Sequence, residues 1–204
     1  MIEIVVNPNG ASGKARQVWE KTEPLFRKSG KEYHVFFSDE QKGVTEIVQE
    51  VTARPCDLVI VGGDGTLNQA VNGIRDFEHV RLGLIPIGSG NDFARSQKYE
   101  GSLTERVDRI LSGKNVRSID LGEVVYQNRF EECEMEQVGR DGFVHRRFVI
   151  SAGIGFDASI CHEAGISKYK KVLNRLHMGK LIYILTAIHI IAATKRVKAW
   201  VTMD

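Results

Sequence analysis

The chain has 204 residues, 42% of them hydrophobic and 26% charged, and a formal net charge of +2. This composition is ordinary for a globular protein, and the near-neutral charge without interleaved basic and aromatic residues argues against nucleic-acid binding. The three cysteines lack any CxxC spacing, so neither a disulfide framework nor a zinc site is predicted, and a reducing, cytoplasmic environment is favoured.

The first half of the chain alternates between strand and helix patterns. Strands are predicted over residues 2–6, 33–37, 57–61 and 81–86, and helices over residues 15–28, 44–52, 66–74 and 103–111. Pro24 falls inside the first helix and is expected to kink or divide it. This alternation predicts a parallel sheet covered on both faces, whose ligands bind beyond the carboxyl ends of the strands.

The most informative stretch is CDLVIVGGDGTLNQAVNGI, residues 56–74. A short apolar run is followed by three glycines and then by an apolar helical face; the glycines are Gly62, Gly63 and Gly65, and the face consists of Leu67, Ala70, Val71 and Ile74. A strand that turns through glycines into a helix leaves free backbone N–H groups at the start of the helix. Such groups attract phosphate, so this turn is a candidate anion site.

Asp64 places a carboxylate inside this candidate anion site. Two like charges at short range repel, so Asp64 beside a phosphate is explained if a cation lies between them or if Asp64 accepts a proton. The alternative is a structural role, in which Asp64 caps a helix or fixes the turn.

Two other loops follow predicted strand ends. NPNGASGK, residues 7–14, does not fit a Walker A loop. That motif has four residues between its first glycine and the Gly-Lys pair and a serine or threonine after the lysine, whereas here two residues separate Gly10 from Gly13-Lys14 and alanine follows. Taken alone, this loop could equally be a turn with a solvated lysine. PIGSGNDFAR, residues 86–95, is a second glycine-rich block.

GGDGTLNQAVNGI resembles the nucleotide-binding signature shared by diacylglycerol kinases, sphingosine kinases, NAD kinases and phosphofructokinases, and PIGSGNDFAR resembles the block of the lipid-kinase branch. The resemblance implies an α/β parallel-sheet nucleotide-binding domain, residues 1–115, followed by the start of an antiparallel β-sandwich domain, residues 116–204. Strands are expected over 116–126 and 143–150, with a tight turn at Asp141-Gly142. SAGIGFDA, residues 151–158, is similar to the second-domain signature of the family.

The resemblance also implies the site residues and the cofactors, ATP and Mg²⁺. It assigns nucleotide binding to Asn7, Gly10, Gly13, Lys14, Ser38, Gly62, Gly63, Asp64, Gly65, Thr66, Asn68, Ser89 and Asn91. It assigns the organisation of magnesium to Asp64, Asp92 and Asp120, which agrees with the preference of Mg²⁺ for oxygen ligands. Ser38 could instead be an N-cap, and Asp92 and Asp120 could be capping or salt-bridging residues.

The implied function is a lipid kinase of phospholipid metabolism that transfers the γ-phosphate of ATP to a lipid hydroxyl, with diacylglycerol as the first expectation. Family members are longer, and their catalytic base is expected beyond Asp204, so activity of this stretch alone is left open. NAD kinase and a non-catalytic nucleotide- or lipid-binding regulator remain alternatives.

The expected partners are a lipid substrate and a membrane surface. No signal peptide is predicted, and the longest apolar segment, residues 181–193, is shorter than the roughly 20 residues that span a bilayer. Contact with the membrane is therefore expected to be peripheral and transient. The basic cluster that could meet anionic lipid, or could simply be a solvated face, consists of Lys168, Lys170, Lys171 and Arg175. The helix over residues 172–193 could line an acyl-chain cleft or pack in a core, and a homodimer is left open.

Overall fold

The structure, a computed structural model, describes residues 1–87, 90–126, 139, 141–153, 158–159 and 188. The chain divides into two compact units, Met1–Ser151 and Ala152–Asp204, and every element below belongs to the first. The helix predicted over 172–193, the basic cluster around it and half of SAGIGFDA, residues 154–157, lie outside the described residues. The domain boundary at residue 115 stays a prediction.

The central feature is a parallel sheet of four strands in the order β2-β1-β3-β4. The strands are β1 (Ile2–Val6), β2 (Tyr33–Phe37), β3 (Cys56–Gly62) and β4 (Val80–Pro86). Val6 at the end of β1 lies opposite both Phe37 of β2 and Val61 of β3, so these strands end at the same edge of the sheet. The predicted parallel α/β architecture is confirmed.

The helices are α1 (Gly10–Lys28), α2 (Val44–Val51), α3 (Asp64–Gly73), α4 (Asp92–Ser96) and α5 (Leu103–Ser112). Two expectations about them, a loop over residues 7–14 and a division of the first helix at Pro24, were wrong. Helix α1 begins inside the predicted loop, so only residues 7–9 connect it to β1. It also continues through Pro24 without division. Pro24 cannot bond to the carbonyl of Glu20, but Glu20 is exposed, where solvent can satisfy that carbonyl.

The sheet buries one apolar layer on each face. Val5, Leu58, Ile60 and Leu84 pack with residues of α2, α3 and α4, whereas the layer on the other face, which includes Ile4, Val59, Val61 and Ile85, packs with α1 and α5. Neighbouring residues of one strand thus point to opposite layers, as strand geometry requires. Full burial of each such aliphatic side chain stabilises the fold by about 1.5–3 kcal/mol.

The strand order creates a switch point between β1 and β3. The chain leaves β1 for β2 on one side, and β3 continues to β4 on the other. In open α/β sheets the crevice at such a reversal, beyond the carboxyl ends of the strands, is where ligands bind. The loop after β1 and the glycines after β3 border this crevice.

A separate antiparallel pair is formed by β5 (Gly122–Tyr126) and β6 (Val144–Phe148). The antiparallel pairing was predicted, but the strand expected over 116–126 is shorter, because residues 116–121 have no regular secondary structure. At the predicted turn, Gly142 has a φ of 84°, a left-handed conformation that glycine adopts readily. No helix in the described part of the chain combines the length and the apolar character needed to cross a bilayer.

Two carboxylates hold His145 of β6. Nε2 of His145 lies 2.9 Å from Oδ2 of Asp141, and its Nδ1 lies 3.3 Å from Oε2 of Glu123. The hydrogen bond to Asp141, followed by the one to Glu123, raises the pKa of His145 above its ordinary value, while the same contact lowers the pKa of Asp141. The hairpin therefore carries a proton-sensitive contact.

Candidate functional site

Backbone hydrogen bonds tie the strand ends together at the carboxyl edge of the sheet. The N–H of Asn7, directly after β1, donates to the carbonyl of Val61 at 3.3 Å, and the N–H of Ser38 donates to Val6 at 3.0 Å. The N–H of Ile87 donates to the carbonyl of Gly62 at 3.1 Å. The ends of all four strands are thus held at one edge, with Ser38 only 6% exposed there.

Asn7 and Thr66 join the first loop to the GGDGT turn. Nδ2 of Asn7 donates to Oγ1 of Thr66 at 3.2 Å, and Oδ1 of Asn7 accepts from the N–H of Asn9 at 3.2 Å. Thr66 is 5% exposed and lies so close to Gly62 that a Cβ on Gly62 would meet the Thr66 Cβ at 2.4 Å. A glycine is therefore required at position 62 by the close approach of Thr66.

Asp64 joins the GGDGT turn to the second glycine-rich block. Its Oδ2 accepts from the N–H of Asp92 at 3.0 Å and its Oδ1 from the N–H of Phe93 at 3.2 Å. These N–H groups open α4, and Asn91 at the N-cap position supplies no side-chain cap. Asp64 therefore caps a helix, but that helix is α4 and not its own helix α3.

A second carboxylate lies beside Asp64. A Cβ built on Gly90 would lie 3.3 Å from Oδ2 of Asp64 and 3.4 Å from Oδ2 of Asp92, so both carboxylates border the same point. Asp92 is 62% exposed and forms an ion pair of 3.6 Å with Arg95. Paired carboxylate oxygens with unused lone pairs suit a hard cation such as Mg²⁺, which would relieve their mutual repulsion.

Several other residues predicted to bind nucleotide or magnesium have no described contact with Asp64 or Asp92. Asp120 lies exposed ahead of β5, and no described hydrogen bond or ion pair joins it to Asp64 or Asp92. Lys14 and Gly13 are exposed in the first turns of α1, where Gly13 has a φ of 86°. Gly10 starts α1. Ser89 lies outside the described residues.

The other predicted residues belong to α3 or precede α4. Gly63 is the N-cap position of α3, and Gly65 is exposed in its first turn. Asn68 is half-buried, and its carbonyl accepts from Asn72. Asn91 is left-handed, with φ 49° and ψ 45°, and its Oδ1 is buried without a partner among the described residues.

The contacts at the far end of α3 were not predicted from the sequence. The Asn72 amide donates to the carbonyl of Arg147 at 2.9 Å and accepts from its N–H at 2.9 Å. Nη1 of Arg147 donates to the carbonyl of Ile74 at 2.8 Å, and its guanidinium lies 5.0 Å from the Phe77 ring centre. The signal available in the sequence was Asn72, a polar residue beside the apolar face of α3, but its partner 75 positions away was not predictable.

Comparisons with known proteins agree with these features. The profile of the family described as "Diacylglycerol kinase catalytic domain" matches residues 2–124. YtlR of Bacillus subtilis (strain 168), provisionally named a lipid kinase, is 27% identical over 204 residues, which cover 94% of this chain and 60% of that protein. A diacylglycerol kinase of Staphylococcus carnosus (strain TM300) is 30% identical over 125 residues, which cover 59% of this chain and 40% of that one.

Among solved structures, a diacylglycerol kinase from Bacillus anthracis str. Sterne is similar, with 25% sequence identity and a TM-score of 0.48. The match covers 62% of this chain and 46% of that chain. The chain thus spans 60% of YtlR and less than half of the other two proteins.

Proposed function

The chain belongs to the diacylglycerol kinase catalytic-domain family, and on that premise we propose that it is the nucleotide-binding part of a lipid kinase. The complete enzyme would transfer the γ-phosphate of ATP to a lipid hydroxyl, with diacylglycerol as the first substrate to test. The observation that carries this proposal is the pair of hydrogen bonds that the Asp64 carboxylate accepts from the N–H groups of Asp92 and Phe93. They hold GGDGT, which follows β3, and PIGSGNDFAR, which follows β4, together at the carboxyl edge of the sheet.

Each part of the site has a task under this proposal. The free N–H groups at the start of α3, after Gly63, would donate hydrogen bonds to phosphate oxygens. Asn7 and Ser38 would position the nucleotide from the neighbouring strand ends, and the exposed Lys14 would supply positive charge. Phosphoryl transfer depends mainly on positioning and charge neutralisation, which these groups supply without covalent chemistry.

Asp64 and Asp92 are the residues that would hold magnesium, because their carboxylates border one point beside Gly90. Bound Mg²⁺ would neutralise charge on the nucleotide phosphates. Asp120 is a further proposed ligand. No described residue is assigned as the base that accepts the proton of the lipid hydroxyl.

A binding measurement on this chain tests the nucleotide site. We expect calorimetry to show binding of ATP that depends on Mg²⁺. Asp64→Asn should weaken this binding by roughly tenfold, since a hydrogen bond or contact to a charged group contributes on that order. The matched control is Asp108→Asn, which removes an exposed carboxylate on α5. Equal affinities for both variants and the unmodified chain would contradict the proposed site.

A transfer assay separates the candidate activities. This chain and a form extended through the downstream reading frame are incubated with Mg²⁺-ATP and diacylglycerol, sphingosine or NAD. Phosphorylation of a lipid by the extended form supports the proposal, and the preferred lipid identifies the substrate. Phosphorylation of NAD would establish the NAD kinase alternative. Nucleotide binding without transfer by either form would establish a non-catalytic regulator.

Peripheral membrane contact and a homodimer remain predictions. Co-sedimentation with vesicles of anionic and of neutral lipid tests the first, because electrostatic attraction to a basic cluster requires anionic lipid. Light scattering during size-exclusion chromatography tests the second. Equal sedimentation with both vesicles would exclude an electrostatic membrane contact.

A further inference from the structure

A cavity of about 380 Å³ lies between the end of β4, helix α4 and helix α5. It borders the second glycine-rich block, but most of its polar lining comes from residues that the family resemblance did not single out. The polar and charged residues that line it are Asn91, Arg95, Lys98, Tyr99, Glu100 and Arg106. Arg95 is already paired with Asp92 at 3.6 Å, so two further cations, Lys98 and Arg106, face the one carboxylate of the lining, Glu100.

Two residues of this lining each have a buried polar atom that lacks a hydrogen-bond partner among the described residues. Nε of Arg106 and Oδ1 of Asn91 are both buried, and neither has a partner among the described residues. One is a donor and the other an acceptor, and an unpaired buried group of either kind carries a free-energy cost. A ligand that accepts from Arg106 and donates to Asn91 would remove both costs.

The segment between α4 and α5 is fixed by its own contacts. The N–H of Tyr99 donates to the carbonyl of Ala94 at 2.8 Å, and Nη2 of Arg109 donates to the carbonyl of Glu100 at 2.5 Å. Lys98 has a φ of 51°. These contacts shape the cavity wall without using the charged ends of Lys98 and Arg106, which form no described ion pair.

We propose that this cavity binds the phosphate group of a phosphate monoester. Its charged oxygens would accept hydrogen bonds from Arg106 and Lys98, and the hydroxyl of the singly protonated phosphate would donate to Oδ1 of Asn91. Glu100 opposes high negative charge, so the site favours a singly charged phosphate over a triphosphate. This proposal goes beyond the kinase proposal, because binding requires neither nucleotide nor Mg²⁺.

Calorimetry with glycerol 3-phosphate, in EDTA and without nucleotide, tests the cavity on the whole chain. We expect saturable binding that falls roughly tenfold in Arg106→Gln and in Lys98→Gln, because each removes a charge-assisted hydrogen bond. The control is Arg54→Gln, which removes an exposed cation distant in sequence from the cavity. If Arg106→Gln fails to fold, Lys98→Gln decides, since Lys98 is exposed.

Further arms identify the source of the phosphate. Binding of glycerol 3-phosphate indicates a soluble ester, whereas binding only to vesicles that contain phosphatidic acid, compared with pure phosphatidylcholine, indicates a lipid headgroup. Either result supports the proposal if Lys98→Gln weakens the binding that is observed.

Three outcomes would overturn the phosphate site: no saturable binding in any arm, equal affinity for all variants, or displacement of the ester by ATP at the affinity of the nucleotide site. The last would make the cavity part of the nucleotide site. Loss of Mg²⁺-ATP binding with ester binding intact would remove only the kinase proposal.

Discussion

Replacing Asn72 by alanine is expected to loosen the attachment of β6 to helix α3. The Asn72 side chain forms three hydrogen bonds, to Asn68 at 2.7 Å and to the carbonyl and N–H of Arg147 at 2.9 Å each. In the antiparallel pair Arg147 lies opposite Glu123. Because its N–H and carbonyl bond to Asn72, they point away from β5, and Asn72 extends the sheet in place of a third strand.

The expected loss can be worked from these contacts. A typical hydrogen bond contributes about 1 kcal/mol net, so three contribute about 3 kcal/mol. Alanine favours the helix over asparagine by roughly 0.6 kcal/mol, which offsets part of that loss. About 2 kcal/mol remains, which corresponds to roughly thirtyfold faster opening of the contact.

Hydrogen exchange measures this opening directly. Peptides that cover β6 (Val144–Phe148) should exchange roughly thirtyfold faster in Asn72→Ala, with the Arg147 amide most affected. Gln69→Ala, an exposed change one turn earlier on the same helix, is the control and should leave the exchange of β6 unaltered. Unchanged protection of β6 in Asn72→Ala would refute the attachment described here.

Three further predictions concern stability. Gly62→Ala should lower the free energy of unfolding, measured by urea titration, by about 1–3 kcal/mol, because the new methyl group overlaps Thr66. Ser102→Ala should cost about 1 kcal/mol in the same assay, because Ser102 caps α5. Raising the pH should weaken the β5–β6 hairpin, because Asp141 raises the pKa of His145 on folding. Stabilisation by such a histidine is complete below its unfolded pKa and is lost as the pH rises through its folded pKa.

Each of these predictions has its own control. Gly65→Ala introduces a methyl group with no atom within 4 Å, so it should be tolerated, and equal costs at both glycines would contradict the close-approach explanation. Ser102→Thr retains the capping oxygen and should preserve stability. His145→Gln should remove the pH dependence of the hairpin. An NMR titration that placed the pKa of His145 below its ordinary value would contradict its contact with Asp141.

The sequence predicted those elements whose signals are local. The apolar run over residues 58–61 and the helical spacing after it were sufficient for β3 and α3. Helix α4 was missed because its five residues depend on Asp64, which lies 28 positions earlier in the chain. The strand over 116–126 was predicted too long, because strand propensity cannot reveal where the pairing partner ends.

The position of the candidate site could be predicted from the sequence, but the role of Asp64 in it could not. Since parallel strands end at one edge, the convergence of Asn7, Gly62 and Gly90 on the same region follows from the order of the elements. The sequence left open whether Asp64 is a cap or part of a charged site. That choice depended on where the N–H groups of Asp92 and Phe93 point, which only the folded backbone determines.

Asp64 both caps α4 and lies beside the carboxylate of Asp92. A loss of activity in an Asp64 variant can therefore have two causes. An alanine variant would remove a negative charge and would also release the start of α4, so an inactive protein could reflect either defect. Asparagine keeps one accepting oxygen but turns an amide N–H₂ toward the other N–H, and glutamate keeps both oxygens one methylene further out. Hydrogen exchange of the Phe93 amide separates the two causes, because it reports whether the start of α4 is still capped. A variant in which this amide keeps its normal protection but nucleotide binding no longer depends on Mg²⁺ would isolate the electrostatic role of Asp64.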